Sequence, residues 1–359
     1  MNYLIGYTIF IIILLIILYL GVHYYVFWRL WYLFSIKQKI RHYCLLLFLM
    51  CIFPISSLIE KSVSNSFVRT FYVLSAIWVG TIFFLFCCLV VFEILNKLIK
   101  IPKYAAGVVI VMAAISITIF SIIIALVITT RTVTIPVEDI DKNYKIVHLS
   151  DIHIGTVHNS RYLKNIVKKV NHIDPDFVVI TGDLFDGSGK LIDYNISSLN
   201  DIKVETFFVT GNHERYVGVD EVLSLLNKTK INILRNQVVN FEGLQIIGID
   251  DSETEFENRN PSLNKITINK SIPTILLYHR PVGLDDANDV GVDLQLSGHT
   301  HHGQVFPFSL IVKLLYPRDY GLYTYKNTTL YVSQGVGTWG PPMRFLTRSE
   351  IVVINLVPK

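Results

Sequence analysis

Five short blocks of carboxylate, amide and imidazole side chains follow one another between Asp151 and His301. They are Asp-Ile-His at 151–153, Gly-Asp at 182–183, Gly-Asn-His-Glu at 211–214, His279, and Gly-His-Thr-His at 298–301. Carboxylate and imidazole ligands without thiolate suit divalent manganese, iron, zinc, cobalt or nickel rather than calcium. One carboxylate can bridge two such ions about 3.5–4 Å apart, and a water between them becomes a hydroxide nucleophile. The series predicts a two-metal hydrolase site, for which phosphorus is the natural electrophile.

Each block alone has a simpler explanation. An Asp-X-His triplet is common by chance, a lone histidine such as His279 is more often a core or surface residue, and Gly-Asp or Gly-Asn pairs usually mark turns. The five blocks together, in one order and each at a predicted strand end, form a joint requirement that chance rarely meets.

Short apolar runs end at every block. The runs are 146–149, 177–180, 207–209, 275–277 and 294–296. Helical patterns at 162–170 and 219–226 lie between them, so the chain predicts an α/β sheet with ligands at its strand ends. Residues two apart in an extended segment point the same way, so we expect Asp151 with His153, and His299 with His301, each to face one cavity.

With these blocks the chain resembles the calcineurin-like metallophosphoesterases, whose pattern is Asp-X-His, Gly-Asp, Gly-Asn-His-Asp/Glu, His and Gly-His-X-His. The resemblance begins at about residue 144. It is strongest to a membrane-associated branch that includes bacterial UDP-diacylglucosamine hydrolases and vertebrate transmembrane proteins with a metallophosphoesterase domain. The residues that carry it are 150–155, 298–304, 330–338 and 342–345. The branch usually has glycine at the position of His302, a departure that leaves both ligand histidines intact.

The resemblance implies a fold and a ligand set. The fold is a pair of mixed β-sheets packed face to face, with helices outside. The side chains implied for the first metal ion are Asp151, His153, Asp183 and His301. Those implied for the second are Asp183, Asn212, His279 and His299. Asp183 would therefore bridge the two ions.

Three further side chains have candidate roles. His213 would face the substrate as leaving-group acid or as stabiliser of a phosphate oxygen. Asp251 could orient a ligand histidine or be a plain turn carboxylate. Arg344 could clamp a phosphate through its bidentate fork or form a salt bridge at the sheet end.

Four long apolar segments precede Arg131, at 4–27, 43–59, 71–92 and 105–130. A membrane span needs about 20 apolar residues, so three qualify directly, whereas the second is short and contains Pro54. We predict a four-span transmembrane domain over 1–130, a linker over 131–143 and a metallophosphoesterase domain over 144–359. All four cysteines lie in the apolar segments, so no disulfide framework is expected.

The basic residues orient this domain. Nine Lys or Arg against two Glu precede Arg131, which leaves 23 basic and 26 acidic residues in the rest of the chain. The excess charge is therefore explained by membrane topology, and no nucleic-acid partner is expected. The first and third loops carry most of the basic residues, so the positive-inside rule places these loops in the cytoplasm. We therefore predict a multi-pass protein of the cell membrane whose catalytic domain lies outside the cytoplasm.

The apolar stretch 306–316 directly follows the last ligand block. If this stretch is exposed, it indicates a contact with lipid, and if it is buried, it is part of the hydrophobic core. With the membrane tether, it favours a phosphorylated lipid or lipid-linked envelope precursor as substrate. The alternatives are a phosphoesterase for soluble nucleotides that uses the membrane part as an anchor, and a non-catalytic membrane receptor.

Overall fold

The computed structural model of the chain describes residues 2–63, 65–189, 195–251 and 262–359. Contacts between residues divide it into two compact units, Met1–Ile122 and Ile123–Lys359. The first is helical and the second contains both sheets.

Four apolar helices occupy the first third of the chain. They are α1 (Asn2–Leu33), α2 (Ile40–Ser62), α3 (Ser66–Leu98) and α4 (Lys103–Leu126). All four are long and apolar enough to cross a membrane. The second is longer than predicted because α2 continues through Pro54 to a length of 23 residues. Inside the unit, Arg29 pairs with Glu93, and the hydroxyl oxygens of Ser56 and Ser75 are 2.6 Å apart.

The fourth apolar segment ends earlier than predicted, and most of the predicted linker is a strand. Helix α4 stops at Leu126, and strand β1 (Ile128–Val137) pairs in parallel with β12 (Ser349–Pro358). The run from Thr129 to Val133 consists of β-branched residues and one arginine, which suit a pleated strand better than a helix. The assignment of residues 131–137 to a linker is therefore wrong.

Two six-stranded sheets build the second unit. The remaining strands are β2 (Tyr144–Leu149), β3 (Phe177–Thr181), β4 (Thr206–Val209), β5 (Asn232–Ile233), β6 (Gln237–Phe241), β7 (Leu244–Ile249), β8 (Thr274–Tyr278), β9 (Leu294–Ser297), β10 (Gly321–Tyr325) and β11 (Thr328–Val332). The first sheet has the order β1-β12-β2-β3-β4-β5, and the second has the order β10-β11-β9-β8-β7-β6. Both sheets are mixed, with parallel pairing of β2, β3 and β4 in the first and of β7, β8, β9 and β11 in the second.

Alternate residues of the central strands enter two different hydrophobic layers. Ile146 and Phe177 of the first sheet share a cluster with Leu277 of the second, so the sheets pack face to face. Their neighbour Val178 points the other way and packs with Ile166 of a covering helix. The helices of this unit are α5 (Ser160–Ile173), α6 (Asn212–Val217), α7 (Val219–Leu226), α8 (Leu284–Val290) and α9 (Phe308–Leu315). The predicted α/β class and double sheet are confirmed.

Candidate metal centre

Five of the seven predicted ligands lie within three residues of the carboxyl ends of five parallel strands, and His153 and His301 follow in two of the same loops. Asp151 follows β2, Asp183 follows β3, Asn212 follows β4, His279 follows β8 and His299 follows β9. The carboxyl ends of parallel strands meet at one edge of a sheet, and here the edges of two packed sheets adjoin. Side chains from distant parts of the sequence therefore reach the same place.

One group of ligand atoms consists of Asp151, His153 and His301, all buried. The Nε2 atoms of His153 and His301 are 3.0 Å apart, and Nε2 of His301 is 3.4 Å from Oδ1 of Asp151. These three side chains belong to the set that the resemblance implied for the first ion.

A second group consists of Asp183, His279 and His299. Nε2 of His279 is 3.1 Å from Oδ2 of Asp183 and 3.2 Å from Nδ1 of His299. Oδ1 of Asn212 lies 2.8 Å from Nδ1 of His299 and 3.1 Å from Nε2 of His279. Asp183 also joins the two groups, because its Oδ2 is 3.9 Å from Nε2 of His153. The structure thus brings all seven predicted ligands together.

The spacing of these atoms fits bound cations. Nitrogen ligands about 2.1 Å from an ion and at right angles to one another lie about 3.0 Å apart. The separations of 3.0 Å between His153 and His301 and 3.2 Å between His279 and His299 match that geometry. A pair of neutral imidazole nitrogens this close gains little unless a proton or a metal ion accepts their lone pairs.

The charges of the site fit a cation as well. Burial alone would lower the pKa of His279, but Asp183 and Asp151 raise it to about 10, so the pocket stabilises positive charge. Burial lowers the pKa of His299 to about 3 and holds the pKa of His153 and of His301 well below the ordinary range. These three imidazoles remain neutral, as metal binding requires.

Hydrogen bonds outside the cluster orient two of the imidazoles. Nδ1 of His279 donates to the Thr181 carbonyl at 2.7 Å, which turns Nε2 toward the cluster. Nε2 of His299 lies 2.9 Å from the Tyr316 hydroxyl, so Nδ1 faces the cluster instead. In the sequence, Tyr316 lies within an apolar stretch, and no local signal marks its contact with a predicted ligand.

Five of the seven ligand residues adopt a left-handed backbone conformation, with φ between 49° and 74°: Asp151, His153, Asp183, His299 and His301. Each such non-glycine residue costs about 1–3 kcal/mol and persists only where its surroundings hold it. The ligand segments were expected to be extended, and these positive φ values show that this expectation is wrong. The left-handed turns aim His299 and His301 at different groups, although they are two residues apart.

Glu214 holds the ligand loops of the first sheet. This fully buried carboxylate accepts hydrogen bonds from the backbone N–H groups of Gly211 at 2.6 Å, Asp183 at 2.9 Å and Phe185 at 3.2 Å. Burial and the charge of Asp183 raise its pKa to about 7. No role for Glu214 was predicted from the sequence, although a glutamate three residues after Gly211 at a helix start is a capping signal.

Arg344 has a different role from either one predicted. It is fully buried, and its Nη2 donates to the carbonyl oxygens of Gln334 at 2.6 Å, Gly335 at 3.2 Å and Gly337 at 2.7 Å. Nη2 also lies 3.4 Å from Nδ1 of His301. Arg344 therefore braces the loop after β11 against a ligand histidine, and burial lowers its pKa to about 10. Both the phosphate clamp and the salt bridge are wrong.

Asp251 acts through an arginine. Its carboxylate accepts from Nε and Nη2 of the buried Arg280, the latter at 2.9 Å, and Nη2 of Arg215 lies 3.3 Å away. Arg280 directly follows the ligand His279, whose own Nδ1 bonds to Thr181. Asp251 thus positions the loop after β8 and does not itself orient a ligand histidine.

His213 lies beside the first group of ligands. Its Nδ1 is 2.7 Å from the Asp186 carbonyl, to which it donates, and its ring centroid is 4.6 Å from that of His153. A ligand atom of His213 also clusters with those of His153 and Asp183. The ring is therefore fixed next to the first group of candidate ligands.

The backbone at His302 has a conformation that a glycine, the residue implied by the resemblance, would adopt freely. Its φ of 51° lies in the left-handed region, which glycine adopts without cost and histidine more readily than most residues. Nδ1 of His302 lies 2.7 Å from Oδ2 of Asp319. The turn is therefore preserved, with a side-chain hydrogen bond offsetting part of the strain.

Comparisons with known proteins agree with this site. The family model for the calcineurin-like phosphoesterase matches residues 144–303. The chain is 42% identical over 229 residues to an uncharacterized metallophosphoesterase of Helicobacter pylori, covering 62% of each protein. It is 34% identical to an uncharacterized metallophosphoesterase of Aquifex aeolicus, covering 63% of this chain and 90% of the relative.

A similarity to an animal protein extends the comparison. The chain is 34% identical over 249 residues to the transmembrane protein with metallophosphoesterase domain of Bos taurus, covering 63% of this chain and 56% of that protein. The matches span less than two thirds of the Helicobacter and Bos relatives, and they cover 62% to 63% of this chain.

Proposed function

Because this chain belongs to the calcineurin-like phosphoesterase family, we propose that it hydrolyses a phosphoester or pyrophosphate bond with two divalent metal ions. The observation that carries the proposal is the meeting of seven buried or half-buried ligand side chains in two groups that Asp183 joins. Every block of the family pattern keeps a side chain capable of its role.

The proposed ligand sets follow the two groups. One ion would be held by Asp151, His153, Asp183 and His301, and the other by Asp183, Asn212, His279 and His299. When bound, the ions would polarise the phosphoryl oxygens and lower the pKa of an attacking water. The imidazoles would supply lone pairs, His279 after losing its proton, and the shared carboxylate of Asp183 would keep the two sets close together.

His213 is the proposed catalytic side chain. Its Nδ1–H is committed to the Asp186 carbonyl, so Nε2 is the atom that can meet a substrate. In the protonated form, Nε2 donates to the leaving group or to a phosphate oxygen.

The proposed substrate is a phosphorylated lipid or lipid-linked envelope precursor. Four candidate membrane spans in the same chain support it, because they would keep the site close to a bilayer. The proposed orientation puts the basic first and third loops in the cytoplasm and the phosphoesterase domain outside.

The activity is tested with the purified full-length chain, manganese and aryl phosphate mono- and diesters, followed by phosphorylated lipids. We expect hydrolysis of an aryl ester that a chelator removes and manganese restores. His213→Gln should keep both ions and lower turnover by about 10²–10⁴-fold. Two bound ions without any hydrolysis would instead favour the non-catalytic receptor, and hydrolysis of soluble nucleotides alone would favour the anchored nucleotide phosphoesterase.

Orientation is tested by adding a protease to intact cells. We expect loss of the phosphoesterase domain without permeabilisation, while a domain that survives until the membrane is opened would place it in the cytoplasm.

A further inference from the structure

Helix α9 exposes most of its apolar side chains. The exposed fractions of Leu310, Leu314 and Leu315 are 56%, 82% and 62%, and Val312 is the helix's only buried residue. Soluble proteins rarely leave so many neighbouring apolar side chains in water, and those that do usually bind a partner or a membrane there. We call this patch the α9 surface; its residues are Phe306, Phe308, Leu310, Ile311, Leu314, Leu315 and Leu346.

The α9 surface includes a loop that leads to β12. The backbone N–H of Phe306 donates to the Phe345 carbonyl at 3.0 Å, and Val305 and Phe345 form an isolated bridge. The next residue, Leu346, is 69% exposed. The patch is therefore continuous across two segments that are 40 residues apart in sequence.

The α9 surface also lies close to the place where the chain leaves its last candidate span. Three residues beyond Leu346, Ser349 pairs in register with Ile128, and its hydroxyl donates to the carbonyl of Ala125 in α4 at 3.1 Å. From the other end of α9, Tyr320 accepts a hydrogen bond from Arg131 of β1. Both ends of the patch thus connect within this unit to residues 125–131, where a membrane helix becomes a strand.

We propose that the α9 surface inserts into the lipid bilayer next to the final span. The lipid is the occupant that the chain favours, because only one residue separates α4, a candidate membrane span, from β1, whose residues connect to the patch. Lys313, exposed on the same helix, would lie at the level of lipid phosphates.

Docking would bring lipid headgroups to the metal centre. Tyr316 directly follows α9, and its hydroxyl is 2.9 Å from Nε2 of the ligand His299. A headgroup phosphate beside the inserted helix would be near the ligand loop after β9. This consequence for substrate choice rests on the proposed function, whereas the bilayer contact itself does not.

The contact is tested with full-length protein in phosphatidylcholine–phosphatidylglycerol vesicles. Cys44, Cys51, Cys87 and Cys88 are replaced by alanine, and a nitroxide is attached at Leu314→Cys or, as control, at Lys228→Cys. Lys228 is exposed and precedes β5, at the opposite edge of the sheet from the ligand loops. We expect the label at 314 to meet dissolved oxygen more than a water-soluble nickel complex, and the label at 228 to show the reverse.

Water-like accessibility at 314 would overturn the proposal. So would strong dipolar broadening between labels at 314, because it would show that a second copy of the chain covers the helix.

An activity measurement separates docking from catalysis. Leu310→Asp with Leu314→Asp should lower turnover of a phosphorylated lipid in vesicles by about tenfold or more while leaving a soluble aryl phosphate unchanged, since two apolar side chains lose their burial. Leu310→Met with Leu314→Met keeps the surface apolar and should behave as wild type. Equal loss on both substrates would show that the helix is structural. If the wild type hydrolysed neither substrate, the proposed function would fail, and the label at 314 would still decide the bilayer contact.

Discussion

The two sheets contribute unlike halves to the candidate metal centre. Loops of the first sheet supply every oxygen ligand, namely Asp151, Asp183 and Asn212, together with one imidazole. Loops of the second sheet supply imidazoles alone. The negative charge that would attract cations therefore comes from one half of the domain.

The buried groups that hold the two halves have opposite charge. In the first half, Glu214 accepts hydrogen bonds from three backbone N–H groups, whereas in the second Arg344 donates to four backbone carbonyls. Buried backbone groups need partners, and an ionised side chain can serve several at once. A loop that turns its N–H groups inward is thus supported by a buried carboxylate, and a loop that turns its carbonyl groups inward is supported by a buried guanidinium.

The largest effect should come from Asp183, the ligand that touches both halves. We expect Asp183→Asn to abolish aryl phosphate hydrolysis and to lower occupancy of both ions, because it removes the shared charge. Asp151→Asn, which alters one group only, should mainly deplete one ion. Elemental analysis of purified protein measures both. A single ion in fully active wild-type protein would break the two-site assignment.

Removal of Arg344 should be the next most damaging change. Arg344→Met leaves four backbone carbonyls without this donor, so we expect a loss of about 3–5 kcal/mol of stability and weaker metal binding at the group that contains His301. Arg344→Lys should recover only part of it, because a lysine lacks the planar fork. Thermal unfolding and metal content provide the measurements. Wild-type stability and metal content of Arg344→Met would show that the arginine does not support the ligand loops of the second half.

Glu214→Gln should have a smaller effect on stability. A glutamine retains one carbonyl oxygen for the N–H groups of Gly211, Asp183 and Phe185 but turns an amide donor toward the others. We expect a loss of about 1–3 kcal/mol and about 10–100-fold weaker metal binding. Because Asp183 serves both ions, both occupancies should fall in a metal titration. Loss confined to one ion would contradict the proposed bridging.

The smallest effect is expected at His302. His302→Gly relieves a left-handed conformation worth about 1–2 kcal/mol but loses the Asp319 hydrogen bond, worth about 1 kcal/mol, and adds freedom to the unfolded chain. Thermal unfolding should therefore change little, and aryl phosphate hydrolysis should remain. His302→Val, with a β-branched side chain at the same φ, should be clearly less stable than His302→Gly, and equal stability would show that the turn carries no strain.

The sequence by itself determined which side chains could hold metal and that strands would deliver them. Asp151, Asp183 and His279 each end a short apolar run, and that pattern is local because a buried parallel strand needs apolar residues on both faces. The four apolar segments could also be predicted from the sequence, since a membrane span is recognised by the composition of about 20 consecutive residues. Strand β1, in contrast, could not be predicted locally, because its register partners in β12 lie 221 residues away.

Only the tertiary structure decided how the ligands converge. Asp183 and His301 both have a positive φ, and each is contacted by a buried charged side chain that is far away in sequence, Glu214 for Asp183 and Arg344 for His301. The environment of α9 was also decided by the tertiary structure, because its apolar residues are compatible with a core helix and with a membrane-facing helix. In the structure only Val312 of this helix is buried, and Leu314 is 82% exposed. Burial depends on which other elements pack against a helix, and the sequence of the helix does not show this.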